Sequence, residues 1–376
     1  MSENAKYFKN NYSLREEVLM SYKLPKFTPP DFTEEIFVKA PNVKIGEVEK
    51  EGVAPKDFFM TSIHPEYFKI NGKWILPTQN SMDCAAVVRD DNTVEIVEFR
   101  NLKVGDRVIL GRTEDINEGI HKHVNGFHSL PKVKRRRSVE SSFTKDYNEL
   151  YELLKYEKEN NGHIVWVLGP AVIFDHDTRV ALSKLAENGY VNGLLAGNAM
   201  ATHDLEGGLL QTALGQNIYT QESVLLGHYN HLDLLNEARR AGSTENLLAE
   251  GNVKDGFIKT CVEKNIPIVL AGSIRDDGPL PEVYKEGTSA LDAMKEQTNK
   301  ATVIICLATV LHSVATAHLA STYRVQNDEV RPLYMYSVDI AEYAVNKVAI
   351  SREFVGVKTI VTNVQDFVVN LQRNLA

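Results

Sequence analysis

Cysteine is scarce in this chain of 376 residues: Cys84, Cys261 and Cys306 are odd in number and widely spaced. That excludes a disulfide framework and a zinc knuckle and leads us to expect a reducing, cytoplasmic compartment. Excess positive charge is also missing. A net charge of −8 gives no electrostatic footprint for DNA or RNA, so no nucleic-acid partner is expected. The one basic run, Lys132 to Arg137, reads as a solvated linker or a subunit contact. No long apolar run reads as a membrane span. Residues Met1 to Asn10 lack the apolar core of a signal peptide, and Thr302 to Ala320, which approaches spanning length, is interrupted by His312, Ser313 and His318. No membrane partner is expected. There is no Gly-x-Ser-x-Gly elbow, no cysteine with a helper histidine nearby in sequence, and no His-Glu-x-x-His. His121 and His123, two apart in a loop, make a poor metal pair, and no metal is expected.

Present instead are five short apolar runs that break into small or polar residues at their carboxyl ends. They are Ile164–Ala171, Val191–Ala199, Ile268–Asp277, Val303–Thr309 and Leu333–Asp339, with a sixth strand expected at Thr359–Thr362. Apolar runs separated by helix-length segments are the pattern of a buried parallel sheet, whose ligands bind outside the carboxyl ends of the strands. Helices are expected at Asp175 to Asn188, His231 to Ala241, Lys254 to Glu263, Ala290 to Gln297, Val310 to Ala320, Ile340 to Ala349 and Val364 to Asn374. The fold class is α/β, with a doubly wound, mostly parallel sheet preceded by a mostly β domain.

The first 125 residues carry Pro25, Pro29, Pro30, Pro41, Pro55, Pro65 and Pro77 and alternating stretches such as Thr93 to Phe99, the pattern of short strands and turns. Arg89 to Thr93 is a hairpin candidate between Ala85–Val88 and Val94–Val97, and Val104 to Leu110 reads as another strand. The expected organisation is a β substrate or cover domain over 1–125, a linker and helix over 126–162, and an α/β domain over 163–376.

The usual dinucleotide fingerprint of closely spaced glycines is absent after the first run, where Leu168-Gly-Pro-Ala-Val-Ile-Phe174 stands. The second run ends in Leu195-Ala-Gly-Asn-Ala199, followed by Thr202-His-Asp-Leu-Glu206 at the start of a helix. Small residues there either admit a pyrophosphate to backbone N–H groups or serve tight packing. The third run ends in one cation, Arg275, and two carboxylates, Asp276 and Asp277, which either cap a turn or, one of them, accept from a ribose or hold an ammonium. His312 stands where a helix begins, either as a packed residue or as a neutral proton carrier. Asp339 either caps the following helix or binds nucleotide hydroxyls.

Five longer stretches carry a resemblance: Phe58–Pro65, Thr78–Cys84, Arg135–Glu140, Gly193–Ala199 and Tyr336–Ala341. On them the chain resembles, nearly end to end, the archaeal-type ornithine cyclodeaminases, which carry the conserved region named after lysine-oxoglutarate reductase/saccharopine dehydrogenase. Its second half is similar in layout to the Rossmann-like NAD-binding fold of deoxyhypusine synthase, which binds NAD without the glycine fingerprint. The resemblance implies NAD as cofactor, touched by Asn198, Ala199, Asp277, Gly278, Ala308, Thr309, Leu311, His312, Asp339 and Ile340. No counterpart of the synthase's catalytic lysine segment is found.

The reaction so implied converts L-ornithine to L-proline and ammonia, the α-carbon being oxidised and then re-reduced with NAD recycled in place. For the proton transfers the candidates are Asp277 and then His312. Arg275 and Arg112 are candidates for the substrate carboxylate, and Asn80 and Asp83 for contacts from a β domain that covers the cleft. The rivals are a deoxyhypusine-synthase-like transferase, with Lys300 and Lys347 as the available lysines, and a non-catalytic NAD-binding regulatory module. A homodimer or homotetramer acting on a small amino acid is expected.

Overall fold

The six apolar runs lie side by side because each is buried on both faces. The computed structural model describes residues 22–127, 137–274, 278–352 and 356–376, so Arg275, Asp277 and most of the basic run at 132–137 lie outside the described residues. The N-terminal part contributes α1 (Glu35–Lys39) and seven strands. These are β1 (Lys44–Glu47), β2 (Glu66–Ile70), β3 (Lys73–Ile75), β4 (Ala85–Val88), β5 (Val94–Val97), β6 (Arg107–Leu110) and β7 (Ile120–Lys122). They form an antiparallel sheet in the order β1-β6-β4-β5 and a second in the order β3-β2-β7. Phe59, Phe68, Ile109 and Ile120 share the core around them. The turn at Arg89–Thr93 closes the β4–β5 hairpin, as the sequence predicts, with the Arg89 N–H donating to the Thr93 carbonyl at 2.9 Å.

The rest of the chain alternates strand and helix. In order come α2 (Thr144–Glu159), β8 (Ile164–Leu168), α3 (His176–Glu187), β9 (Gly193–Gly197), α4 (Asn198–Leu210), the short pair β10 (Thr212–Ala213) and β11 (Gln216–Asn217), and then α5 (Asn230–Ala241) and α6 (Thr244–Ala249). There follow α7 (Phe257–Glu263), β12 (Ile268–Ala271), α8 (Gly287–Thr298), β13 (Val303–Leu307), α9 (Val310–Leu319), β14 (Tyr323–Gln326), β15 (Glu329–Pro332), β16 (Tyr334–Asp339), α10 (Glu342–Arg352), β17 (Val357–Val361) and α11 (Val364–Leu375). The main sheet has the order β12-β9-β8-β13-β16-β17 and every pairing in it is parallel. One apolar layer, with Leu153, Leu182, Phe257 and Phe367, covers one face; Met294, Ala317 and Val348 cover the other. Helices on both faces leave the two edges of the sheet as the places where strand ends meet solvent.

Three local features differ from the sequence reading. The helix after β9 starts at Asn198 rather than near Thr202, because Gly197 passes from extended backbone (φ −88, ψ 162) straight into the first turn. The β14–β15 hairpin, unread in the sequence, packs Tyr323, Val325 and Val330 against Phe27, Leu76 and Phe127, so this piece of the second half belongs to the core of the first. Among the described residues, the β domain also meets the second half of the chain away from the crevice. Met82 N–H donates to the His318 carbonyl, Ser81 Oγ to the Leu319 carbonyl and Thr322 N–H to the Ile63 carbonyl, and Arg100 pairs with Asp292 at 2.5 Å. These contacts lie along α8 and at the far end of α9, about 15 Å from its start at 1.5 Å per residue.

At this interface Glu66 is completely buried, accepting from the Ser62 N–H and hydroxyl and from Asn80 Nδ2. Burial raises its pKa from the ordinary 4.5 to about 7. Between those values the folded state holds a proton that the unfolded state has lost, so stability must fall as pH rises. Glu66→Gln should flatten this fall, on the order of 3 kcal/mol at about 1.36 kcal/mol per unit, in denaturant titrations run between pH 4.5 and 7. An unchanged pH slope in the variant would refute the assignment.

Candidate active site at the carboxyl edge

From β8 the chain winds outward through β9 to β12, then returns to β13 and winds the other way to β17. The carboxyl ends of β8 and β13 are therefore the switch point at which an open α/β sheet forms its crevice. The two ends meet there very closely. The Gly169 N–H donates to the Leu307 carbonyl at 2.8 Å, and a Cβ on Gly169 would stand 1.9 Å from the Ala308 carbonyl oxygen. Only glycine fits there. Ala308 itself has φ +51, a left-handed backbone that costs a residue with a Cβ free energy and tends to accompany function.

His312, in the first turn of α9, reaches back over β9: a Cβ on Gly197 would lie 3.3 Å from its Cε1. Thr309 Oγ1 is 3.5 Å from His312 Nδ1, and the Thr309 carbonyl accepts from the Ser313 hydroxyl. Burial pushes the His312 pKa below its ordinary 6.5, so the ring is neutral at pH 7 and has a nitrogen that can accept a proton.

Asn198 opens α4 with its side chain turned inward. Its Oδ1 accepts from the Leu280 N–H at 3.0 Å and from Thr202 Oγ1 at 3.3 Å, which ties the segment after β12, Gly278 included, to the start of the helix. Ala199 beside it is exposed. At the end of β16, Asp339 Oδ1 accepts from the Ala341 N–H at 2.8 Å, a turn that precedes α10, and among the described residues Oδ2 has no hydrogen-bond donor. Leu311 is 79% and Ile340 67% exposed, two apolar side chains flanking the crevice.

The structure thus brings together Asn198, Ala199, Gly278, Ala308, Thr309, Leu311, His312, Asp339 and Ile340. Asn80, Asp83 and Arg112 are not among them. Asn80 is buried with Glu66 and the His64 carbonyl, and Asp83 is exposed at a left-handed turn of φ +58. Arg112 lies over the Phe58 ring and 3.8 Å from Asp57, within the β domain. Among the described residues no group of His, Cys, Asp and Glu could hold a metal ion. Sequence reasoning gives no role to Gly169, whose signal is a glycine at a strand end, and reads Gly197 among the small residues that admit a pyrophosphate or serve tight packing.

These residues fit a dinucleotide. Glycines at two strand ends let a bulky ligand approach the backbone, a carboxylate ends a third strand, and apolar side chains flank the crevice. A family model described as "Arginine dihydrolase ArgZ-like, C-terminal, Rossmann fold" matches residues 148–371. An ornithine cyclodeaminase of Methanocaldococcus jannaschii is 38% identical over 292 residues, 75% of this chain and 68% of that protein. The chain belongs to the ornithine cyclodeaminase family.

Solved structures of similar proteins agree. The crystal structure of a conserved LOR/SDH protein from Methanococcus maripaludis S2 is 32% identical, with a TM-score of 0.78 over 89% of this chain and 98% of that one. AgrE in ternary complex with ornithine and NAD+ is 30% identical, with a TM-score of 0.56 over 90% of this chain and 46% of the longer AgrE. Within this cyclodeaminase fold the Gly169 contact is a purely steric requirement, since its φ of −87 suits any residue. Gly169→Ala should lower the unfolding free energy by about 1–3 kcal/mol and weaken NAD binding at least tenfold, read by denaturant titration and by calorimetry. Wild-type stability and affinity in that variant would show that the strand ends are free to separate.

Proposed function

We propose that this chain is an NAD-dependent ornithine cyclodeaminase, forming L-proline and ammonia at the β8/β13 switch point. The observation that carries the reading is His312, a neutral imidazole set over Gly197 and beside Ala308 in a member of this family. Bound NAD supplies the oxidation and later re-reduction of the substrate α-carbon. The chain's own residues do the rest. Gly169, Gly197 and Ala308 keep the backbone clear, while Asn198, Ala199, Gly278, Thr309, Leu311 and Ile340 line the nucleotide and Asp339 offers Oδ2 to its hydroxyls. His312 takes a proton from the α-ammonium, because the amine must be neutral before its carbon can be oxidised. On sequence grounds Asp277 stands beside this role and Arg275 is the residue for the substrate carboxylate, a task suited to a bidentate guanidinium.

The transferase reading has less support. Lys300 stands just before β13, at the amino edge of the sheet, and Lys347 is exposed on α10. Incubation with ornithine and NAD+ should give proline and ammonia in equal amounts with no net NADH. His312→Ala should lower kcat by about 10²- to 10⁴-fold. Bound NAD without product would instead favour the regulatory module.

We also propose a homo-oligomer in the cytoplasm. All three thiols are free and buried, which suits a reducing compartment, and among the described residues no helix is long and apolar enough to cross a membrane. Leu214, Tyr219, Leu225, Leu226 and Tyr229 are exposed within one short stretch, Leu225 at 90%, and such an apolar patch suits a second copy. Light scattering should give a dimer or tetramer that Leu225→Asp with Leu226→Asp dissociates; a monomeric wild type would refute it.

A further inference from the structure

Helix α4 begins at the carboxyl end of β9 and is tied to two neighbouring helices. Its Asp204 carboxylate binds Arg179 Nε at 2.9 Å and accepts from the Ile258 N–H at 2.7 Å, and both partners stand in the opening turns of helices, α3 and α7, that start at the carboxyl edge. One face of α4 carries Ala199, His203, Glu206 and Leu210, spaced by four, three and four residues. The ends of this row, Ala199 and Leu210, are exposed, and Ala199 lines the crevice described above.

In the middle of the row lies a buried acid–base pair that no step so far has used. Glu206 is 0% and His203 8% exposed. Glu206 Oε2 is 2.7 Å from His203 Nδ1, Oε1 accepts from Thr212 Oγ1 at 2.7 Å, and Thr212 Oγ1 accepts from Asn230 Nδ2 at 2.7 Å. Both carboxylate oxygens are thereby fixed. A carboxylate cannot donate, so Nδ1 carries the hydrogen and Nε2 is left as the proton acceptor. The ring is held from the sides by Phe174, in the loop after β8, at 5.6 Å, and by His231 of α5 at 6.0 Å. Among the described residues His203 is the sole ion-pair partner of Glu206, so a buried negative charge is left without a permanent cation beside it, a costly arrangement that a cationic ligand would relieve.

We infer that the His203–Glu206 pair receives the distal ammonium of the diamino acid and that His203 moves its protons, with Glu206 as a positioning residue. The inference rests on the cyclodeaminase reading and names a second proton site for it, apart from His312. Once the α-carbon is oxidised, the δ-nitrogen must change from an –NH3+ to the =NH+ of the ring, losing two protons. The departing nitrogen changes from =NH2+ to NH4+ and gains two. One new carbon–nitrogen bond forms and one breaks, the charge is unchanged, and Nε2 carries the protons one at a time, so the imidazole ends as it began.

The test uses the full-length protein with NAD. His203→Gln should lower kcat by about 10²- to 10⁴-fold while KM and the calorimetric affinity for ornithine, measured with NADH so that no turnover occurs, stay within about threefold. Glu206→Gln, which keeps the volume of the side chain, should lower kcat by at least tenfold, and added imidazole should restore part of the rate to His203→Ala. A folded His203→Gln with kcat within twofold of wild type would overturn the inference alone, as would Glu206→Gln at full rate should His203→Gln fail to fold. A wild-type protein that forms no proline from ornithine would overturn both this inference and the functional reading beneath it.

Discussion

Everything functional in this chain depends on how closely the ends of β8 and β13 approach. Where strand order reverses, the Gly169 backbone lies against the Ala308 carbonyl with no room for a methyl group, and Ala308 takes up a left-handed conformation to allow it. That contact fixes the start of α9, hence the position of His312, hence the coverage of Gly197 on the neighbouring strand. A backbone constraint of this kind replaces the glycine-rich turn usual in dinucleotide sites. Room for the cofactor comes from glycines at two separate strand ends.

Much of the fold was legible because the parallel sheet is buried on both faces. Strands such as Ile164–Leu168 and Val303–Leu307 have no solvent side and so read as unbroken apolar runs. The small and polar residues that end those runs lie at the carboxyl edge, where the structure assembles Asn198, Ala308, His312 and Asp339. Other features were out of reach of local pattern. The β14–β15 hairpin is explained by packing against Phe27 and Phe127, and His312 over Gly197 is a relation between residues more than a hundred positions apart. The stretch with Asn80 and Asp83 attracts a substrate role by its polarity. In the structure that polarity serves a buried network around Glu66, at the seam between the β domain and α9.

Buried carboxylates divide the chain's electrostatics into three kinds. Asp204 is neutralised permanently by Arg179 and ties α4 to α3; removing one member of such a pair typically costs about 3–5 kcal/mol. Glu66 has hydrogen-bond donors but no ion-pair partner among the described residues, Lys122 on the neighbouring strand pairing with Glu114, and burial shifts it toward its protonated form. Glu206, among the described residues, is matched only by the His203 imidazole. Structural charge is thus locked by a guanidinium, while Glu206 is paired with an imidazole.

The most direct test of the account is a crystal structure of this protein with NAD and ornithine, or an unreactive analogue, bound together. The account predicts the cofactor across the β8/β13 switch point, passing Gly197 and Ala308, with its ribose hydroxyls on Asp339 and the amino acid within reach of His312. A nucleotide bound at the amino edge of the sheet, or anywhere that leaves Gly197, Ala308 and Asp339 untouched, would contradict it.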